Sequence, residues 1–546
     1  MEWIHELAIK RKSQRSTVFI VGTMDSARIQ EFLRLNHDEI LLPTGFEYAE
    51  IIQYNMLNGK VLKKRKWSEP FESKWDVVEL DEPPLSYIDS LIRRRTTLAI
   101  IYYVYTEEQA LQLSNALLEW SLDVDEKIYG IHSTVVVFTS NTELFPQVLR
   151  KFCYVMNIPP STPLERKNLL ERLVNEIIEG YRLSKGNKDI IKRLKPTAEI
   201  VVASAGLDLH MVEAATSESI MMERALKPEY YTKYKIDYLK EYGIEYIEPK
   251  FGFEAVGGYE RLKQYIRERI IDLIRNPKEA EWYGLTPPKG IIMFGLPGTG
   301  KTHLAKALAK EIKLPVLKID AATFLRGIVG ETEKRIKLVR NLIENFSPAI
   351  VFIDEIDQLT MARGRVMATD SGVSRRLTNM LLDWFGDRDR ESIIIGATNF
   401  ISDIDPAFLR PGRTDVLIPV LLPDFNARKE IFHIHTQVLR NIPLASDIDW
   451  DELAEKTFMM TGAEIEAIII EAAFNAKKDK KKVSQKHLLN AIESMQLNIE
   501  ERSRDFKRFL NEAKKIGFIN RKFLDDLVNE YTTVERSKTK AFVEYL

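Results

Sequence analysis

Cysteine is almost missing from this 546-residue chain: Cys153 is the only one. No intramolecular disulfide can form, and no cysteine-rich metal centre can be built. Net charge is nearly absent as well, at -1 from 79 Lys+Arg against 80 Asp+Glu. That balance argues against a globally basic nucleic-acid coat and against a long acidic tail. Long apolar runs are lacking too. No segment approaches the ~18 uninterrupted apolar residues of a membrane span. The opening Met1-Glu2-Trp3-Ile4-His5-Glu6 carries acids and a histidine where an export signal needs a basic flank and an apolar stretch. The expected location is the cytoplasm.

What is present is ample material for cores, with 45% hydrophobic residues. At roughly 100–200 residues per domain, the length predicts three or four folding units. Short apolar runs at 18–21, 97–104 and 133–138, separated by helix-like stretches, predict a parallel α/β sheet in residues 1–160. The polar stretch 58–84 between them reads as a surface hairpin or loop. Residues 161–250 read mostly as helix and form a connector. Strand–helix alternation returns in 251–425, and 426–500 and 501–546 read as helical again.

The strongest signal is Gly295-Leu296-Pro297-Gly298-Thr299-Gly300-Lys301-Thr302. It fits G-x-x-x-x-G-K-[ST] in full, between a strand-like run and a helix-like run. Glycines let backbone N–H groups turn toward phosphate oxygens, and the helix N-terminus favours the negative charge. Lys301 is expected to reach the β- and γ-phosphates of ATP, and Thr302 to ligate Mg²⁺. Downstream, Ile350-Val351-Phe352-Ile353-Asp354-Glu355 is an apolar strand ending in two carboxylates. Asp354 suits the metal and Glu355 the polarisation of an attacking water. A third strand ends in Ala397-Thr398-Asn399, whose amide can hydrogen-bond both that water and the γ-phosphate. Arg410 and Arg413, three apart with Pro411 and Gly412 between them, suit stabilisation of phosphoryl-transfer charge.

In this order, with Val256-Gly257-Gly258 before them and Thr461-Gly462-Ala463-Glu464-Ile465 after, these motifs resemble the AAA family of ATPases in its narrow sense. The resemblance covers residues 251–500. It implies a P-loop NTPase fold, in which a parallel sheet sandwiched by helices (251–425) carries a helical lid (426–500). It also implies a ring, usually a hexamer, in which Arg410 and Arg413 act on the neighbouring subunit's ATP. Adenine would lie against Val256-Gly257, His435 and Gly462-Ala463, with His303 at the same site. The implied work is ATP-driven remodelling or disassembly of a protein substrate. A pore loop would fall at Ile328-Val329-Gly330. Family members that thread polypeptides often carry an aromatic residue where Ile328 stands, which puts threading in doubt. The basic Arg363-Gly364-Arg365 could line the same pore.

Residues 1–160 resemble a worn copy of the same module, and 161–250 a lid-like connector. The run 98–104 stands where 350–353 stands but ends in Tyr105-Thr106. Residues 135–141 resemble 393–399, setting Asn141 against Asn399. After 18–21 comes Gly22-Thr23-Met24-Asp25, with no Gly-Lys-Thr. The layout is similar to two-module AAA proteins of cyanobacteria and plastids, which pair an inactive first module with an intact second one.

Two other functions stay open on the sequence. Arg93-Arg94-Arg95 and the lysine-rich runs 63–66 and 477–482 suit a nucleic-acid-associated ATPase. An ATP-gated scaffold would use hydrolysis only to reset assembly.

Overall fold

The computed structural model describes the chain except for residues 1, 14–16, 24, 43–44, 65–74, 123–132, 181–187, 321–322, 325–330, 361–370, 496, 518 and 540–546. The chain divides into two compact units, Met1–Tyr234 and Lys235–Leu546. The division falls within the helix Pro228–Glu241, ahead of the expected boundary at 250.

The first unit contains β1 (Val18–Gly22), β2 (Glu50–Asn55), β3 (Val61–Lys64), β4 (Trp75–Val77), β5 (Thr97–Val104), β6 (Thr134–Thr139) and β7 (Tyr154–Asn157). They form one sheet in the order β4-β3-β2-β5-β6-β1-β7. The pairings from β2 through β7 are parallel, while β3 and β4 add antiparallel at one edge. Every residue of β1 and β6 is buried. That is why these strands read as unbroken apolar runs: a parallel sheet is covered on both faces. Alternation sorts the side chains. Phe19 and Val21 join Trp3, Phe32 and Phe138 in one core, while Val18 and Ile20 join Leu113, Leu117 and Trp120 in the other. The polar stretch 58–84 holds β3 and β4. Strands β2 and β7 carry mixed polar residues and have no clear sequence signature. The helices Pro163–Gly180, Lys188–Leu194, Ala198–Ala203 and Leu209–Glu223 follow.

The second unit contains β8 (Ile244–Ile247), β9 (Gly290–Phe294), β10 (Val316–Asp320), β11 (Ile350–Asp354), β12 (Ile393–Thr398) and β13 (Val416–Pro419). Their order is β13-β9-β12-β11-β10-β8. All pairings are parallel except that of β8 with β10. Residues 244–247 lie in the stretch expected to be mostly helical. Four residues are too few to display a helical or strand period, and pairing with the open edge of β10 decides their conformation. The five parallel strands of the two units, β7-β1-β6-β5-β2 and β13-β9-β12-β11-β10, share one serial order along the chain.

Strand β9 is held close to the loop carrying Arg410 and Arg413. A Cβ on Gly290 would lie 1.8 Å from the Arg413 carbonyl oxygen. Gly290→Ala is therefore expected to destabilise the second unit by about 1–3 kcal/mol, as read by denaturant unfolding.

Helices Phe425–His433, Trp450–Lys456, Gly462–Lys478 and Gln485–Ser494 form a bundle after the sheet. Phe432, Leu453, Ile465, Ile468 and Leu488 fill its core. The expected C-terminal tail is a pair of helices, Ile499–Lys515 and Arg521–Lys538, that pack back on the unit. Phe509 meets Phe294 at 5.6 Å, and Phe523 stacks on Tyr265 at 3.9 Å between ring centroids. Glu535 pairs with Arg428 at 2.6 Å. Among the described residues, no helix is long and apolar enough to cross a membrane.

Candidate active site

Strand β9 delivers the chain into a loop that ends at Gly300, the cap residue of the helix Lys301–Ile312. Gly298 and Gly300 have φ of 80° and 91°, the left-handed region that glycine enters without steric cost. The loop borders a cavity of about 400 Å³. Pro297, Gly298, Thr299, Gly300, Lys301, Thr302 and His303 line it from one side. Asp354, Glu355 and Asn399 line it from the strand ends, and Val256, Gly257, His435, Gly462 and Ala463 close it from elsewhere. Gly295 contributes its carbonyl oxygen, which accepts from Lys301 Nζ at 2.8 Å.

Lys301 is buried. Its Nζ also donates to Leu296 O at 3.1 Å and to Asn399 Oδ1 at 3.0 Å. Burial pulls its pKa down to about 8, against the opposing pull of Asp354 and Asp357. A desolvated ammonium served only by neutral acceptors is an electrostatic receptor for an anion. Thr302 Oγ1 lies 3.5 Å from Asp354 Oδ2. This hydroxyl and carboxylate are hard oxygen donors of the kind that hold Mg²⁺ together with phosphate and water.

Neighbours on a strand point to opposite faces, yet Asp354 and Glu355 line the same cavity. The backbone supplies the reason: Glu355 has φ 49° and leaves the strand in a left-handed turn. Its N–H donates to Asp354 Oδ1 at 3.1 Å, and its Oε2 accepts from Gln358 Nε2 at 2.5 Å.

The other end of the cavity is apolar and built by close approach. A Cβ on Gly257 would lie 2.8 Å from the Ile431 nitrogen, and one on Gly258 would lie 2.2 Å from Ala427 Cβ. His303 Nε2 bonds the Ala255 carbonyl at 2.7 Å. A π-helical turn, Ile434–Val438, brings Ile434 and His435 to the cavity; such turns recur at functional sites. Burial lowers the His435 pKa, with Glu466 opposing and Arg440 reinforcing. The Arg440 guanidinium donates to its Nδ1 at 3.0 Å. The helix Gly462–Lys478 starts at a capping box between Thr461 and Glu464. Ala463 N–H donates to Gly298 O at 3.2 Å, so the helical bundle touches the glycine loop directly.

Arg410 and Arg413 are not brought to this cavity. Arg410 is exposed, and Arg413 Nη1 donates to the Ala407 carbonyl at 2.9 Å. Ile328, Val329, Gly330 and the segment 363–365 lie outside the described residues. Sequence reasoning missed Tyr259, Ile431, Ile434 and Glu466, which also line the cavity. Ile431 and Ile434 carry no signal separating them from core residues at helical spacing. Three described residues of the first unit's basic clusters are met by acids within it. Arg93 pairs with Asp89 at 2.9 Å, while Arg95 and Lys63 both reach Glu50, at 2.9 and 2.6 Å.

The backbone also corrects the alignment of the two units. Gly295 N–H donates to Thr398 O, and Thr398 Oγ1 to Phe400 O. In the first unit Thr23 N–H donates to Thr139 O, and Thr139 Oγ1 to Asn141 O. Thr139 thus stands with Thr398, and Ser140, not Asn141, stands with Asn399.

Residues 291–422 match the family described as "ATPase family associated with various cellular activities (AAA)", and residues 447–490 match the AAA+ lid domain. The chain is 38% identical over 290 residues to Protein SAV of Sulfolobus acidocaldarius, covering 49% of this chain and 36% of that one. It is 37% identical over 258 residues to the proteasome-activating nucleotidase of Archaeoglobus fulgidus, covering 46% of this chain and 64% of that one. It is 35% identical over 274 residues to the ATP-dependent zinc metalloprotease FtsH of Helicobacter felis, covering 49% and 42%. The chain thus spans 36% to 64% of the length of these relatives. Its second unit carries segments that match an AAA module and its lid.

Proposed function

We propose that the second unit hydrolyses ATP, in a ring of identical subunits, to remodel or take apart a protein substrate or complex. The observation that carries this reading is the gathering of Lys301, Thr302, Asp354, Glu355 and Asn399 around one cavity. Lys301 takes the β- and γ-phosphates. Glu355 receives a proton from the attacking water, and Asn399 orients that water against the γ-phosphate. Val256, Gly257, His435, Gly462 and Ala463 take the base. Thr302 and Asp354 hold Mg²⁺, which when bound neutralises phosphate charge.

Among the described residues, the cavity lining contains no arginine, which fits Arg410 and Arg413 serving the site of a neighbouring subunit. A hexamer is the ring size the family resemblance implies. The similarity to a proteasome-activating nucleotidase and to a protease favours protein over nucleic acid as substrate. Residues 328–330 are the proposed substrate contact, and the first unit serves as adaptor or scaffold. We take 1–160 as its sheet-bearing body and 161–250 as the lid-like part with the connector.

The test mixes Lys301→Ala subunits with Arg413→Ala subunits. Each alone is expected to be inactive. Mixed rings are expected to regain turnover at interfaces that combine an intact loop with an intact arginine. Co-assembled mixtures that stay inactive would contradict the trans role.

A further inference from the structure

The helical part of the first unit repeats specific contacts of the lid in the second. Buried Arg428 donates through Nε to the Ala454 carbonyl at 2.9 Å and through Nη1 to the Pro423 carbonyl at 3.0 Å. Buried Arg166 donates through Nε to the Val201 carbonyl at 3.4 Å and through Nη1 to the Ser161 carbonyl. In both units the second acceptor lies the same distance before the arginine along the chain. Val201 precedes the helix Leu209–Glu223 by the same interval at which Ala454 precedes Gly462–Lys478. Leu209–Glu223 is therefore the counterpart of the lid helix whose N-terminus touches the phosphate loop.

That loop is cut short in the first unit. Two residues separate Thr23 from the helix start at Ser26, against five between Gly295 and Lys301. The second of the two is Asp25, and its carboxylate joins two helix N-termini. Oδ1 caps its own helix, accepting from Ala27 N at 3.0 Å, and also accepts from His210 N at 3.3 Å. Oδ2 accepts from Leu209 N at 2.7 Å. Arg28, buried at 2% exposure, stands 3.9 Å from Asp25. It also forms a two-pronged pair with Glu165, at 3.0 and 3.1 Å, on the first helix of the helical part. One anion that receives N–H groups from helix N-termini is the arrangement helices offer to phosphate. Here the anion belongs to the chain.

We propose that Asp25 is a built-in phosphate substitute that locks the helical part of the first unit onto its sheet body, whatever the nucleotide state. The first unit then has no need of a nucleotide to stay closed and does not open and close with the ATP cycle. The inference rests on these contacts and not on hydrolysis by the second unit.

Hydrogen–deuterium exchange of the full chain tests it. In a Lys301→Ala background, which silences the second site, exchange across 209–223 is expected to be the same with and without ATP. Asp25→Ala is expected to raise exchange at the start of that helix by about tenfold or more, the scale of losing a charged hydrogen bond. Inorganic phosphate is expected to restore protection, where chloride at equal ionic strength does not. Asp25→Asn, which keeps an acceptor but no charge, is expected to fall between and serves if the alanine variant does not fold. The proposal is overturned if both variants exchange like the parent chain. It is equally overturned if ATP alters exchange in 209–223 of the Lys301→Ala chain, or if phosphate restores no more than chloride.

Discussion

Glu355→Gln is expected to lower ATP turnover by about 10²–10⁴-fold, the range for removing a positioned general base. The substitution keeps the size of the side chain and an oxygen for the bond from Gln358 Nε2. It removes the carboxylate proposed to take the proton. The phosphate receptor is untouched, because Lys301, Thr302 and Asp354 make their contacts without Glu355. ATP binding and subunit assembly are therefore expected to persist while turnover fails. Phosphate release at saturating ATP, measured beside nucleotide affinity, separates the two. Undiminished hydrolysis would place the base on another residue and sink the mechanism. A variant that holds ATP without turnover is also the form with which to capture the proposed protein substrate.

Glu535→Ala is expected to cost about 3–5 kcal/mol of stability, the scale of breaking a buried ion pair from one side. Arg428 and Glu535 are both fully buried, and Thr539 Oγ1 adds a 2.7 Å bond to the carboxylate. Without Glu535 the guanidinium keeps its bonds to the Ala454 and Pro423 carbonyls but loses its ion-pair partner at a fully buried position. Denaturant unfolding followed on the second unit reads the loss. A double replacement, Arg428→Met with Glu535→Leu, is expected to recover most of it, since apolar isosteres avoid the desolvation cost. Failure of the double variant to recover would show that the pair is held by more than charge. Arg428 shares its helix with Ala427 and Ile431, against which Gly258 and Gly257 are packed. Loosening the C-terminal helix is therefore expected to weaken ATP binding as well, although Glu535 does not line the cavity.

The polar residues gathered around the cavity were legible in the sequence because their motifs are contiguous. A glycine loop, a strand ending in Asp354-Glu355 and a strand ending at Asn399 each carry their signal within a few residues. The parallel sheets were legible where strands are buried on both faces, as in β1, β5, β6 and β11. Strands β2, β7 and β8 were not: β7 and β8 lie at sheet edges, β2 carries mixed polar residues, and pairing rather than a local period sets their conformation. The alignment of Asn141 with Asn399 failed by one residue for a different reason. Similar apolar runs slide past each other in sequence, and only the hydrogen bonds of Thr139 and Thr398 fix the register.

The sequence by itself determined which unit carries the complete glycine-loop and paired-carboxylate motifs, since Lys301, Thr302, Asp354 and Glu355 have no counterparts after β1 and β5. Tertiary structure alone decided the rest. It turned Glu355 back onto the side of Asp354 and lined the other end of the cavity with Ile431, Ile434 and His435. It tied the last helix to the lid through Arg428 and Glu535 and left Arg410 and Arg413 outside their own cavity. It also set Asp25 between two helix ends that lie far apart along the chain. These features depend on contacts between distant segments. A buried charge or a close-packed glycine takes its meaning from the group that folding brings against it, and no local pattern records that partner.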